Sequence, residues 1–184
     1  MEEFYDSNEL NEKEKNAIIL YTHVKEIALY KYDAEQRRED SLIQQSSHMQ
    51  TAFSFMSAAV FMVTPVIIQY RGVLSLEFFL VAISSVVFFL LISLVTASAA
   101  QFRQKLEGLP DINVLENHIN DNWETTLATS QQLKQFVELF GKVQASKAKG
   151  NDKRVLLIRI SMWSFMASII DIILWYIIAL NKMY

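Results

Sequence analysis

Charged and apolar positions are sharply partitioned along this chain. Between Ser41 and Ala100 the only formal charges are Arg71 and Glu77, and between Val155 and Leu180 only Arg159 and Asp171. Nearly all other charge falls in residues 1–40 and 101–154. A soluble domain mixes charged and apolar positions along each amphipathic element, whereas long uncharged blocks indicate lipid as one of the solvents. The pattern predicts three spans, at residues 51–69, 74–100 and 155–180. Each meets the length of roughly 20 residues that a helix needs to cross a ~30 Å hydrocarbon core.

Outside the spans the pattern becomes amphipathic. Residues 8–50 contain neither Gly nor Pro, and Asn11-Glu12-Lys13-Glu14 has the form of a capping box. Ile18, Tyr21, Val24, Ala28 and Tyr32 recur at intervals of three or four, as one face of a helix requires. The polar run DAEQRRED follows, with Asp33 and Arg37 at i,i+4 spacing. The expectation is one long N-terminal helix, or two nearly collinear ones, entering the first span.

A second amphipathic stretch opens at Asp111 and reaches Lys149. Its stripe is Ile112, Leu115, Ile119, Trp123 and Leu127, then Leu133, Phe136, Val137, Phe140 and Val143. As one helix it would exceed about 50 Å, so a break is expected near Thr129-Ser130. Gly72, in the link YRGV, predicts a tight hairpin between the first two spans. Gly108-Leu109-Pro110 predicts a break after the second, and Gly150 after SKAK predicts a helix end followed by a flexible loop. Pro65 frees the carbonyl of Phe61 and predicts a kink in the first span.

Charge then supplies orientation. One side of the spans carries Arg37, Arg38, Arg103, Lys105, Lys142, Lys147, Lys149, Lys153 and Arg154; the other has Arg71 and Lys182. Basic residues mark the cytosolic face. The expected organisation is a cytosolic N-terminal helix (1–50), a transmembrane hairpin (51–100), a cytosolic helical segment (101–154), a third span (155–180) and an outer tail (181–184). The first apolar run begins too late, behind too acidic a segment, for a cleavable signal peptide. The fold class is an all-α membrane protein with three transmembrane helices, long cytosolic helices and an oligomeric bundle. Long stalks of this kind rarely bury enough apolar surface alone, so a homo-oligomer, expected as a tetramer, is the economical solution.

Two groups of residues carry candidate chemistry. Ser161, Ser164, Ser168 and Asp171 fall on one face of the third span, and Ser47, Gln50, Ser54, Ser57 and Thr64 form a matching line in the first. Ser54, Ser57, Ser164, Ser168 and Asp171 are therefore candidate pore-lining residues, since rings of carboxylates favour cations in a pore. Two alternatives stand beside this. The serines can simply allow close helix packing, and Asp171 can stay protonated on a serine or serve as a proton site.

The second group is the run KVQASKAKGNDKR, with four lysines and one arginine against one aspartate. It suits anionic headgroups, or phosphate recognition by Lys147, Lys149, Lys153 and Arg154 with help from Arg37 and Arg38. Tyr30, Tyr32 and Trp123 are candidates to stack a base. Catalysis finds no support. The chain has no cysteine, three scattered histidines (His23, His48, His118), and no HExxH, phosphate-loop or GxSxG motif. No cofactor or metal site is expected, and an enzyme is not.

The stretch YDAEQRREDSLIQQSSHMQ entering the first span, the YRGV hairpin, and SAAQFRQKLE after the second span resemble the SLATT-type membrane effectors of bacterial anti-phage defence. The third span and the basic GNDKR approach are similar instead to the channel effectors of Hailong-type systems. The resemblance covers the layout of most of the chain and transfers no ligand residue. It implies a cytosolic sensor for a nucleotide or oligonucleotide messenger made by a partner nucleotidyltransferase. It also implies a pore in the bacterial inner membrane that arrests growth when opened. The alternatives are a non-conducting scaffold that docks a protein partner, or a small proton-coupled transporter subunit.

Overall fold

The computed structural model describes residues 2–69, 72, 74–102 and 128–183, with side chains described from 11 to 182. Three α-helices account for almost all of them: α1 (Glu2–Gln69), α2 (Leu76–Gln101) and α3 (Thr129–Met183). Each contains a stretch long and apolar enough to cross a membrane. The expected break at Gly108-Leu109-Pro110, the stripe from Ile112 to Leu127, and Arg71 and Trp123 lie outside the described residues.

Local chemistry explains the element ends. Gly72 adopts φ 61°, a left-handed conformation that costs a side-chain-bearing residue roughly 1–2 kcal/mol. Ser75 then caps α2, its Oγ accepting the Phe78 N–H at 3.3 Å, and Glu77 places a negative charge in the first turn. The helix α3 begins at Thr129, at the point where the sequence predicts a break.

α1 runs through Pro65 to Gln69. One expectation is corrected. Gly150 does not end a helix, and Gly150-Asn151-Asp152 is no loop, because α3 passes through all three. A glycine in a helix interior costs only about 1 kcal/mol relative to alanine. Here its neighbours repay that cost: Asn151 is fully buried and accepts a 2.9 Å bond from Arg154 one turn on.

The chain forms two compact units, residues 1–38 with 104–150, and 39–103 with 151–184. In the first, the α1 face predicted from Ile18 to Tyr32 meets α3. Tyr32 packs edge-on against Phe140 at 5.7 Å, Phe136 stacks on Phe140 at 4.4 Å, and Lys25 lies over Phe136. Glu14 caps the start of α3, accepting the Ser130 N–H at 3.0 Å and its hydroxyl at 2.7 Å. The hydroxyl bond, then the backbone bond, holds the Glu14 carboxyl below its ordinary pKa.

The second unit is a three-helix bundle whose seams mix small polar and apolar groups. Asn151, Ser46, Ser93, Ser161 and Ser168 are almost fully buried, as are Ala97, Ala100, Leu90 and Phe53. Its outer surface carries exposed Phe55, Met62, Val81, Phe88, Val95, Trp163 and Tyr176. So many large apolar side chains on one surface mark a face suited to apolar surroundings. Small hydroxyl residues let apolar helices approach closely and bond across the gap. Ser93 and Ser161 do so reciprocally: each hydroxyl donates to the other's carbonyl, at 2.9 and 2.7 Å. Ser46 donates from α1 to the carbonyl of Ala97, and Gln101 bonds Gln50. Phe53 and Phe165 close the α1–α3 contact with ring centroids 4.5 Å apart.

Candidate functional site

Buried positions recur every seven residues on all three helices. On α3 these are Phe140, Lys147, Arg154, Ser161 and Ser168; on α2, Val86, Ser93 and Ala100. On α1 they are Glu39, Ser46 and Phe53, continuing from Tyr32. This is the period of knobs-into-holes packing. It carries the polar candidates of the sequence into helix seams.

Lys147 and Arg154 are both 3% exposed. Lys147 donates to Gln36 and lies 4.7 Å above the ring of Tyr32, in the first unit. Tyr32 is accordingly a packing aromatic, whereas Tyr30 is exposed. In the second unit Arg154 forms an ion pair with Glu39 at 3.0 Å, both side chains about 95% buried, and reaches the Phe102 carbonyl at 3.4 Å. Among the described residues its Nε has no hydrogen-bond partner. The structure therefore divides the six expected phosphate ligands. Lys147 and Arg154 hold groups of their own chain, and Arg37, Arg38, Lys149 and Lys153 are exposed, with Arg38 3.5 Å from Glu35.

The expected pore line is divided too. Ser54 is exposed on α1. Ser57 is half-buried and bonds the Phe53 carbonyl at 2.9 Å. Ser164 is half-buried, and Ser168 is buried with its hydroxyl on the Phe165 carbonyl at 2.7 Å. Asp171 is half-buried, and its Oδ2 accepts the Ser85 hydroxyl at 2.6 Å, a length typical of O–H donation to a carboxylate. Trp175, one turn beyond Asp171, donates its indole N–H to the same Ser85 Oγ at 3.0 Å. Among the described residues the partner of Asp171 is thus a hydroxyl rather than a cation. The cluster Ser85–Asp171–Trp175 joins α2 to α3 and fixes both side chains.

Sequence reasoning missed Glu39, Asn151 and Trp175 as partners. The signal for Glu39 is present: it lies seven residues after Tyr32 and seven before Ser46, on the face already identified. Asn151 is concealed by the glycine before it. An exposed row also emerges: Ser47, Thr51, Ser54 and Ala58, at spacings of four, three and four, face outward from the first apolar span. Among the described residues no group of three or more His, Cys, Asp or Glu is placed to hold a metal. Comparison with protein-family models, with characterised proteins and with solved structures finds no match to this chain.

Proposed function

We propose that this protein is a membrane-embedded subunit of a homo-oligomeric pore, inserted with its N-terminus in the cytosol and opened by a nucleotide-type messenger. The observation that carries this reading is the outward row Ser47, Thr51, Ser54 and Ala58. Exposed Phe55, Phe88 and Trp163 suit lipid, whereas the hydroxyls of this row gain nothing from it. Further copies around an axis would turn that row toward water. Hydroxyl-lined paths conduct because their oxygens replace part of an ion's hydration shell. Asp171, bonded to Ser85, adds polar oxygens within the bundle.

The messenger site in this reading uses the exposed cations of the first unit, Arg37, Arg38 and Lys149. Lysine and arginine contact phosphates as charge and as fork respectively. A ligand opens such a pore only as far as it binds the open state better than the closed one.

Ion flux through liposomes containing the full-length protein tests the reading, with and without a panel of cyclic and linear oligonucleotides. Flux that appears with one nucleotide class and falls in Ser54→Leu is expected. Absence of flux with every nucleotide, from protein that is folded and oligomeric, would replace the pore with a non-conducting scaffold.

A further inference from the structure

α1 carries a second apolar stripe that stands exposed among the described residues. The face packed on α3 contains Tyr21, Ala28 and Tyr32. At about 100° per residue, Ile19, Leu20, His23, Ile27, Tyr30 and Ala34 fall on a different side of the helix. Leu20 is 62% exposed, Ile27 55% and Tyr30 74%. His23 and Ala34 are exposed as well. The spacing is again heptad: Leu20, Ile27 and Ala34 repeat by seven, with His23, Tyr30 and, at the C-terminal end, the cation Arg37 at the second seam position.

The flanks of this stripe identify its occupant. One flank presents Glu26 and Asp33, and the other Lys31 and Arg38. In a parallel coiled coil, a residue on the first flank meets the partner residue five places further along, on the second flank. Both pairs that this rule generates, Glu26 with Lys31 and Asp33 with Arg38, are of opposite charge. An antiparallel arrangement would bring Glu26 and Asp33 against their own copies, which repel. From these two observations we infer that residues 19–38 of α1 form a parallel, in-register interface with the same segment of a second copy of this chain. The inference rests on the proposed insertion of every copy in one orientation, which brings copies of α1 together in parallel.

Interface geometry is read by engineered cysteine cross-linking of the full-length protein in nanodiscs, which the cysteine-free chain makes unambiguous. Ile27→Cys, at the seam, cross-links to a dimer; Thr22→Cys, exposed on the side away from it, does not. On the Ile27→Cys background, Glu26→Lys or Lys31→Glu lowers the yield at limiting protein by roughly fivefold, because two symmetric pairs become repulsive. The double swap restores it, which loss of folding in either single variant cannot imitate. His23→Leu, which replaces a polar seam residue by an apolar one, raises the yield.

Equal cross-linking at Thr22 and Ile27, or a double swap no better than its parents, overturns the interface. Protection of Ile27→Cys by another part of the same chain, seen as a monomer that does not cross-link, overturns it as well. The two readings separate cleanly. Gated flux without an Ile27 cross-link retires this interface and keeps the pore, whereas the cross-link without flux keeps the interface and retires the pore.

Discussion

The Arg154–Glu39 pair offers the sharpest test of the packing. Its two charges lie 3.0 Å apart with side chains about 95% buried. At an effective dielectric near 20, a separation of 3.0 Å corresponds to an attraction of about 5 kcal/mol, offset by the cost of desolvating both ions. Glu39→Ala removes the attraction and leaves the desolvation of Arg154 uncompensated. Among the described residues the guanidinium then keeps Asn151 and a long bond to the Phe102 carbonyl, with no partner for its Nε. The expected loss is about 3–5 kcal/mol, the range for breaking a buried pair on one side. The double variant Glu39→Leu with Arg154→Met replaces both charges by apolar groups of similar size and should recover most of that loss. Unfolding in mixed micelles of increasing denaturing detergent, followed by circular dichroism, measures both. A cost below about 1 kcal/mol for Glu39→Ala is the value of an exposed pair and would refute the buried seam. The same double variant asks whether Arg154 is a messenger ligand. Messenger-dependent flux that survives in it assigns Arg154 to packing alone.

Three further outcomes follow from the geometry. Ser85→Ala removes the donor to Asp171 and should destabilise by about 1–3 kcal/mol, whereas Asp171→Asn keeps an acceptor there and should cost less; the reverse order, in the same detergent titration, would contradict the bond. Ser93→Leu overfills the α2–α3 contact and should cost about 1–3 kcal/mol, while Ser93→Ala loses only the reciprocal bonds; equal effects would show that the helices are not in close approach. The lowered pKa of Glu14 makes its cap pH-dependent. A carboxyl depressed in the folded state contributes stability above its ordinary value near 4.5 and loses it as pH falls through the depressed value. Amide exchange at Ser130 should therefore accelerate on acidification below that range in the native protein, and be fast throughout in Glu14→Gln; identical pH profiles would remove the cap.

The spans, the hairpin glycine and the inward face of the N-terminal helix were all legible because each writes a local pattern: uncharged length, a φ > 0 turn, a three-four periodicity. The candidate site was legible only in part, because a side chain's chemistry does not announce which way it faces. Lys147 and Arg154 read as solvent-facing phosphate ligands from composition, yet both occupy the seven-residue seam that runs through Phe140 and Ser161. Counting that period through the basic run would have placed them inside, with Glu39 as a partner. Gly150 misled for a related reason. Its intrinsic cost is small, and the buried Asn151–Arg154 bond outweighs a local preference that would otherwise end the helix. Asp171 meets Ser85 of α2, a contact that periodicity along α3 alone cannot name.

The seven-residue beat on α1 also constrains how this chain can change in length. One residue added between Glu39 and Ser46 turns everything beyond it by about 100°. Ser46 would then turn out of the seam and the larger Gln45 would take its place against Ala97. Seven residues added at the same point lengthen the rod by about 10.5 Å and return each side chain to within about 20° of its former bearing. Drift in the size of such a protein is thus quantised, tolerated in whole heptads and penalised between them.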